Sequence, residues 1–212
     1  IINDLIDAAC KCKKLEIAKK LFQICYSNDK KDLTSSFIQA ISNNSSEICQ
    51  FFLENNAFID FDKSSFKGCD FSSIDEKMLS ILNQYYPVEI KQILVTETNL
   101  CKAIKNSNTF LIEYLFKSGA PSDYALIEAV KTDKIEIVDL ILKFKNSPDF
   151  INKRSKEGTP LCIAVSNSNE IIVNRLLSFP GINPNYYEQC TFLYKACLFD
   201  EVEIVEFLLS LE

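Results

Sequence analysis

Leu161-Cys162-Ile163-Ala164, followed by Ile172-Val173 and then by Leu176-Leu177, is the stretch that decides how this chain folds. Counted from the alanine, one branched apolar pair stands eight and nine residues on, and a second stands twelve and thirteen residues on. The same offsets from Ala196 reach Ile204, Val205, Leu208 and Leu209, and from Ala129 they reach Ile137, Val138, Ile141 and Leu142. From Ala103 they give Leu111, Ile112, Leu115 and Phe116; from Ala40, Ile48, Cys49, Phe52 and Leu53; from Ala9, Ile17, Ala18, Leu21 and Phe22. One match would be an ordinary amphipathic helix. Six in register predict a stack of repeated units.

Each unit reads as two short antiparallel helices. Three residues before each alanine stands another apolar residue (Ile6, Phe37, Leu100, Leu126, Leu161, Leu193), so Leu-x-x-Ala marks the buried stripe of the first helix. The small alanine suits a place where two backbones come close. The two pairs, four residues apart, share one face of the second helix. Between the helices lies a polar break: Asn43-Asn44, Asn106-Ser107, Thr132-Asp133 and Asn167-Ser168. Asn and Asp enter the left-handed region more readily than most residues, so they can end a helix without glycine. Five residues before the alanine stand Asp4, Ser35, Thr98, Thr159 and Thr191, each with an oxygen able to cap the first turn, and only Tyr124 departs. Pro160 follows Thr159 at a first helical position, where its missing N–H is harmless.

The alanine anchors are separated by 31, 63, 26, 35 and 32 residues, so the longest interval must hide one more unit. Leu79 and Leu82, followed by Ile90, Leu94 and Val95, mark it; it centres on a leucine, lacks the capping residue and contains Pro87. With little repeat pattern over 61–97, packing is expected to be poorest there. The 26-residue step after Ala103 leaves room for only a tight turn at Pro121-Ser122-Asp123. The organisation is therefore a single domain over 1–212 with repeats near 1–31, 32–62, 73–97, 98–121, 122–156, 157–189 and 190–212, the third irregular.

These residues resemble the ankyrin repeats. Gly158-Thr159-Pro160-Leu161-Cys162-Ile163-Ala164 is similar to the G-x-T-P-L-H-x-A signature, and Ile172-Val173 to Leu177 to its I-V-x-x-L-L. Leu115-Phe116-Lys117-Ser118-Gly119-Ala120 and Gly181-Ile182-Asn183-Pro184-Asn185 resemble the exit into a finger-like β-turn. The resemblance is strongest over 98–211 and weakest between 60 and 98. Two departures stand out. Cys162 and Cys101 replace the signature histidine, and the glycine falls one place late, directly before Thr159. The resemblance implies an all-α, ankyrin-like solenoid of about seven helix-turn-helix repeats with short finger turns. It also implies that a protein partner meets the finger tips and the end of the first helix, two and three places after the alanine. Those positions hold Lys105, Asn106, Lys131, Thr132, Ser166, Asn167, Leu198 and Phe199. Leu198 and Phe199 could instead cover the end of the stack or meet a following repeat.

Composition narrows function. A net charge of −6 argues against binding to a phosphate backbone, which wants a concentrated basic surface. The Lys13-Lys14 and Lys19-Lys20 pairs read as a solvated helix face. No run approaches the ~18 apolar residues that a membrane-spanning helix needs. Of the nine cysteines, Cys10 and Cys197 follow the motif alanine and Cys49 stands in for a core valine. They read as structural thiols in a reducing, cytoplasmic setting and not as a zinc or disulfide set. The chain has no histidine, so no Ser–His or Cys–His pair can form, and its four glycines are too far apart to cradle a phosphate. Glu16, Glu47, Glu136 and Glu203 all stand one residue before the second-helix pair, an exposed repeat position.

What remains is surface. The expectation is a protein–protein interaction scaffold or adaptor, with no cofactor, no metal, no small-molecule substrate and no catalysis. The alternative is a regulatory or targeting segment of a larger enzyme or channel. The absence of an initiator methionine and the end at Leu211-Glu212, where a finger would begin, suggest a fragment of a longer chain.

Overall fold

The computed structural model describes residues 2–26, 32–62, 64–183, 197 and 202–209. Two compact units, Ile1–Pro121 and Ser122–Glu212, make up the chain. The first holds α1 (Ile2–Lys11), α2 (Leu15–Tyr26), α3 (Thr34–Ser42), α4 (Ser46–Glu54), α5 (Glu76–Tyr85), α6 (Pro87–Leu94), α7 (Glu97–Lys105) and α8 (Thr109–Lys117). The second holds α9 (Ala125–Lys131), α10 (Ile135–Phe144), the single turn α11 (Pro148–Ile151), α12 (Pro160–Ser166), α13 (Glu170–Leu177) and α14 (Val202–Leu209). Within the first unit, α1 packs against α2 and α3, α3 against α4, α4 against α5, and α7 against α8. Within the second, α9 packs against α10 and α12, and α12 against α13. The described residues form no strand; isolated bridges join Asp32 to Phe58 and Ser155 to Gly158. The architecture is the expected all-α, ankyrin-like stack of helix pairs.

The repeated apolar positions are the core. Ile6, Phe37, Leu100, Leu126 and Leu161 are buried, as are Ala9, Ala40, Ala103, Ala129 and Ala164. So are the first pairs Ile48-Cys49, Leu111-Ile112, Ile137-Val138 and Ile172-Val173. Burying one such side chain contributes about 1.5–3 kcal/mol, so a repeated stripe suffices to hold short helices together. The pattern fails at Ile17, which is 52% exposed while its counterparts Ile48, Leu111, Ile137 and Ile172 lie between 0% and 2%. Glu16, Glu47 and Glu136 are exposed as expected.

The polar breaks do what their residue types predict. Asn44, Ser107, Asp133 and Ser168, the second residue of each break, all have positive φ, between 50° and 60°, and Lys13 takes the same conformation at 57°. At all of these but Asp133 the chain reverses so that the next amide reaches back to the motif alanine. Lys14, Ser45, Asn108 and Asn169 donate their amides to the carbonyls of Ala9, Ala40, Ala103 and Ala164 at 2.9, 2.8, 2.9 and 3.2 Å. At the second-helix exit Asn56 (φ 52°) stands where the later repeat has Gly119 (φ 83°), with Ala57 and Ala120 donating to Phe52 and Leu115.

The caps are displaced from the expected residues in all but one described case. Thr159 caps α12 by accepting from the Cys162 amide at 3.3 Å. Thr98 does not cap α7; Thr96, two residues earlier, accepts the Asn99 amide. Asp4 lies inside the first turn of α1. Ser35 lies inside α3, where its hydroxyl bonds Asp7, and Asp32 takes the Thr34 amide ahead of that helix. Thr191 lies outside the described residues. At α7 the reason is local: the helix begins earlier than a fixed offset allows because Thr96 supplies an oxygen ahead of its first turn.

The irregular third repeat also differs from expectation. It has a cap, Asp75, which accepts the Met78 amide at 2.8 Å, and Pro87 opens α6 at its first position. The described residues of 61–97 have a core of their own. Phe66, Phe71, Ile74, Met78, Leu82 and Ile90 are buried, and Phe61 stacks between Phe66 and Tyr86 at centroid distances of 5.4 and 3.9 Å. Aromatic packing replaces the periodic pairs. Ser122 accepts the Ala125 amide at 3.1 Å, the tight turn that spacing required.

Three outcomes follow. Lys13→Gly should raise stability by about 0.5–1 kcal/mol, since left-handed backbone costs other L-residues about 1–2 kcal/mol and glycine's unfolded-state entropy returns only part. Lys13→Val should lower it, and urea melts of the two variants check the sign. Amide exchange at Leu79 and Leu82 in α5 should fall within about tenfold of that at Phe37 and Ile41 in α3. Hundredfold faster exchange in α5 would mean its packing does not hold. Asp75→Ala should remove about 1 kcal/mol. Burial raises the Asp75 carboxyl, but bonds from the Met78 amide and Asn44 outweigh it, so the net shift is downward. That stabilisation is present above the ordinary carboxylate range and is lost as pH falls below about 4. The variant's acid limb should be correspondingly flatter.

Candidate functional site

In the second unit, the ends of the two first helices are tied side by side. Lys131 closes α9 and pairs with Glu128 on its own helix at 3.2 Å and with Glu157 at 2.9 Å. Glu157 belongs to the turn Ser155–Gly158, where the Ser155 amide donates to the Gly158 carbonyl at 2.9 Å. One lysine thus joins a first helix to the next finger. Its burial alone would depress the ammonium; the two carboxylates outweigh that and hold it above the usual lysine range. A second tie follows the breaks, where the Asn169 amide donates to Asp133 at 2.7 Å.

Thr132 and Ser166 turn their hydroxyls back onto their own helices, to the carbonyls of Ala129 (2.7 Å) and Cys162 (2.9 Å). Back-bonding of this kind satisfies carbonyls in the last turn. Asn167 is exposed and closes α12 through its backbone amide, leaving its side chain outward. In the first unit, Lys105 is exposed at the end of α7, and Asn106 bonds the Ser72 hydroxyl of the preceding irregular repeat. Leu198 and Phe199 lie outside the described residues. The structure therefore places Lys131, Thr132, Ser166 and Asn167 on neighbouring helix ends, with Lys105 and Asn106 at the equivalent place in the other unit.

Sequence reasoning missed the residues that lock successive repeats. Asn108 caps α8 through Leu111 while its amide reaches the carbonyls of Ser72 and Ile74 at 3.0 and 2.8 Å. Asn169 does the same for α13 through Ile172. The signal was legible, since both stand five residues after the motif alanine. Asn152 plays a similar part between fingers, bonding the Gly181 carbonyl and the Asn183 amide at 2.8 and 2.9 Å.

Three thiols of the first unit are buried. Burial, with a smaller contribution from Asp7, pushes Cys10 up to about 12, and burial pushes Cys69 up to about 11 and Cys49 well above the ordinary thiol range. Such thiols stay protonated and inert. Cys162 is buried in the signature histidine's place against Gly158, whose φ of 124° no other residue would adopt comfortably.

The short first helix opened by Thr159-Pro160, the left-handed break and the finger turn together match one known design. The family model for ankyrin repeats matches residues 126–212, with three copies. A search of curated proteins returns no match. Ankyrin repeats are in general protein–protein interaction modules. No helix among the described residues is long and apolar enough to cross a membrane.

Gly158→Ala should destabilise the second unit by about 1–3 kcal/mol, because the added carbon would stand 2.8 Å from the Cys162 sulfur on left-handed backbone. Pairing it with Cys162→Ala should recover part of the loss. Thermal melts of the single and double variants check this.

Proposed function

We propose that this chain is a scaffold or adaptor module that binds another protein on the face formed by its first helices and finger turns, and that it does no chemistry of its own. One observation carries the reading. Lys131 at the end of α9 pairs with Glu157 in the turn before α12, and the Asn169 side-chain amide just beyond α12 donates to Asp133 just beyond α9, so the exposed Asn167 stands between braced segments. Polar side chains on a regular, braced scaffold lose little conformational freedom on binding, which favours recognition. In this reading Lys131, Thr132, Ser166 and Asn167 form one contact surface, and Lys105 with Asn106 forms another. Its location is intracellular, in keeping with a set of cysteines that forms no disulfide among the described residues.

Affinity capture with the intact chain, repeated with Asn167→Arg, tests it. The substituted side chain is exposed, so folding should change by no more than ~0.5 kcal/mol. A partner whose affinity falls at least tenfold in the variant supports the reading; partners captured equally by both would contradict it.

A further inference from the structure

In the first unit, the departure from the repeat rule has built a cleft. The chain between α4 and α5 is much longer than a finger turn, and Asp62, Ser64 and residues 66–69 and 71 of it face α6 and α7. Between them opens a cleft of about 610 Å³, within the range of small-ligand and peptide sites. Its apolar part is lined by Phe66, Phe71 and Ile93, all buried. Lys67 and Lys102 line it as well; neither makes a salt bridge among the described residues, although Lys102 lies near enough to Asp70 to act on its carboxyl.

Asn99 supplies the third element. It is 7% exposed and stands in α7 where the corresponding helices of the second unit carry Ala125 and Pro160. Its Nδ2 donates to the carbonyls of Ile93 and Leu94 at 3.3 and 3.0 Å, which fixes the amide's orientation. The Oδ1 atom accepts no bond from the described residues and is not sealed from solvent. A buried amide is thus held with its acceptor unused in a cleft that it lines. Thr98, which capping by Thr96 leaves without that duty, lines the same cleft.

We infer that this cleft binds the free C-terminus of a partner polypeptide whose last residue is apolar. The ligand chemistry matches part for part. An apolar side chain covers Phe66, Phe71 and Ile93, the terminal carboxylate meets Lys67 and Lys102, and a backbone N–H donates to Asn99 Oδ1. Asp62, also at the cleft, disfavours a second negative charge, so an uncharged residue precedes the last one. A simple fatty acid would satisfy the cations and the floor but leave the amide oxygen unpaired. This inference rests on the protein-binding reading but uses a surface separate from Asn167.

The test uses fluorescein-labelled Gly-Ser-Gly-Leu and Gly-Ser-Gly-Phe, as free acids and as C-terminal amides, titrated with the full chain and followed by fluorescence anisotropy. The free acids should bind at least tenfold more tightly than the amides. Lys102→Gln should weaken the acids at least fivefold with an unchanged melting temperature, and Asn167→Arg should leave them unaffected. Lys67→Gln, an exposed position, serves if Lys102→Gln melts early. Equal binding of acid and amide, or no saturation at millimolar protein, would overturn the inference. So would displacement by decanoate at concentrations below those at which the peptides bind. A captured partner lost by Asn167→Arg but indifferent to Lys102→Gln, with no peptide binding, sinks the cleft and leaves the helix-end surface standing. Peptide binding with no partner dependent on Asn167 does the reverse.

Discussion

One backbone hydrogen bond recurs through the chain, and the helix pairs depend on it. Five residues beyond the motif alanine an amide donates back to that alanine's carbonyl, seen at Ala9, Ala40, Ala103 and Ala164. The bond forms only if the intervening residue enters the left-handed region, and only if the alanine side chain is small enough to let the second helix approach. At Ala129 the Thr132 hydroxyl takes that carbonyl instead. A helix of seven to ten residues is not stable alone. The reversal and the buried pairs beyond it supply what propensity cannot, and the helix ends are placed in register as a consequence.

The constraint also explains where the chain differs from a regular array. Non-glycine residues, Asn44, Ser107, Asp133 and Ser168, occupy the left-handed positions, and several are then used twice. Asn44 bonds Asp75, and Asp133 accepts from Asn169, so a residue needed for its backbone also ties one repeat to the next. In the third repeat the left-handed break is missing. There Tyr86 donates to Leu82, Pro87 starts the next helix, and the aromatic cluster around Phe61 does the packing. The long connection that brings those aromatics in is the same one that opens the cleft over α7.

Much of the fold was legible because it rests on periodicity. Alanine-centred stripes, branched pairs and polar breaks are local patterns, and burial followed them almost residue by residue from Ala40 onward. Ile17 escaped because its burial depends on a neighbour, which no local pattern encodes. Cap positions were misplaced for a related reason: Thr96 and Asp75 compete with nearby oxygens, and a choice worth about 1 kcal/mol is decided by tertiary fit. The third repeat was found by its leucines but judged loose, since Phe61, Phe66 and Tyr86 meet only in three dimensions. The helix-end residues were reached through family resemblance. Their ties to Glu157, Ser72 and the helix carbonyls were not foreseeable without coordinates for the neighbouring repeat.

The central claim is that the motif alanine marks a contact with no spare volume, while the residue two places later faces outward. Ala164→Glu and Ser166→Glu add the same charge to the same short helix, so denaturant unfolding of the two variants isolates position. Ala164 is fully buried and Ser166 is half-buried at the helix end. Ala164→Glu should lose roughly 3 kcal/mol or more, because an unpaired carboxylate would enter the packed stripe. Ser166→Glu should lose no more than about 1 kcal/mol, since the position is half-buried at the helix end and its hydroxyl bonds the Cys162 carbonyl. Similar losses in the two variants would contradict the register, and with it the placement of the helix-end surface.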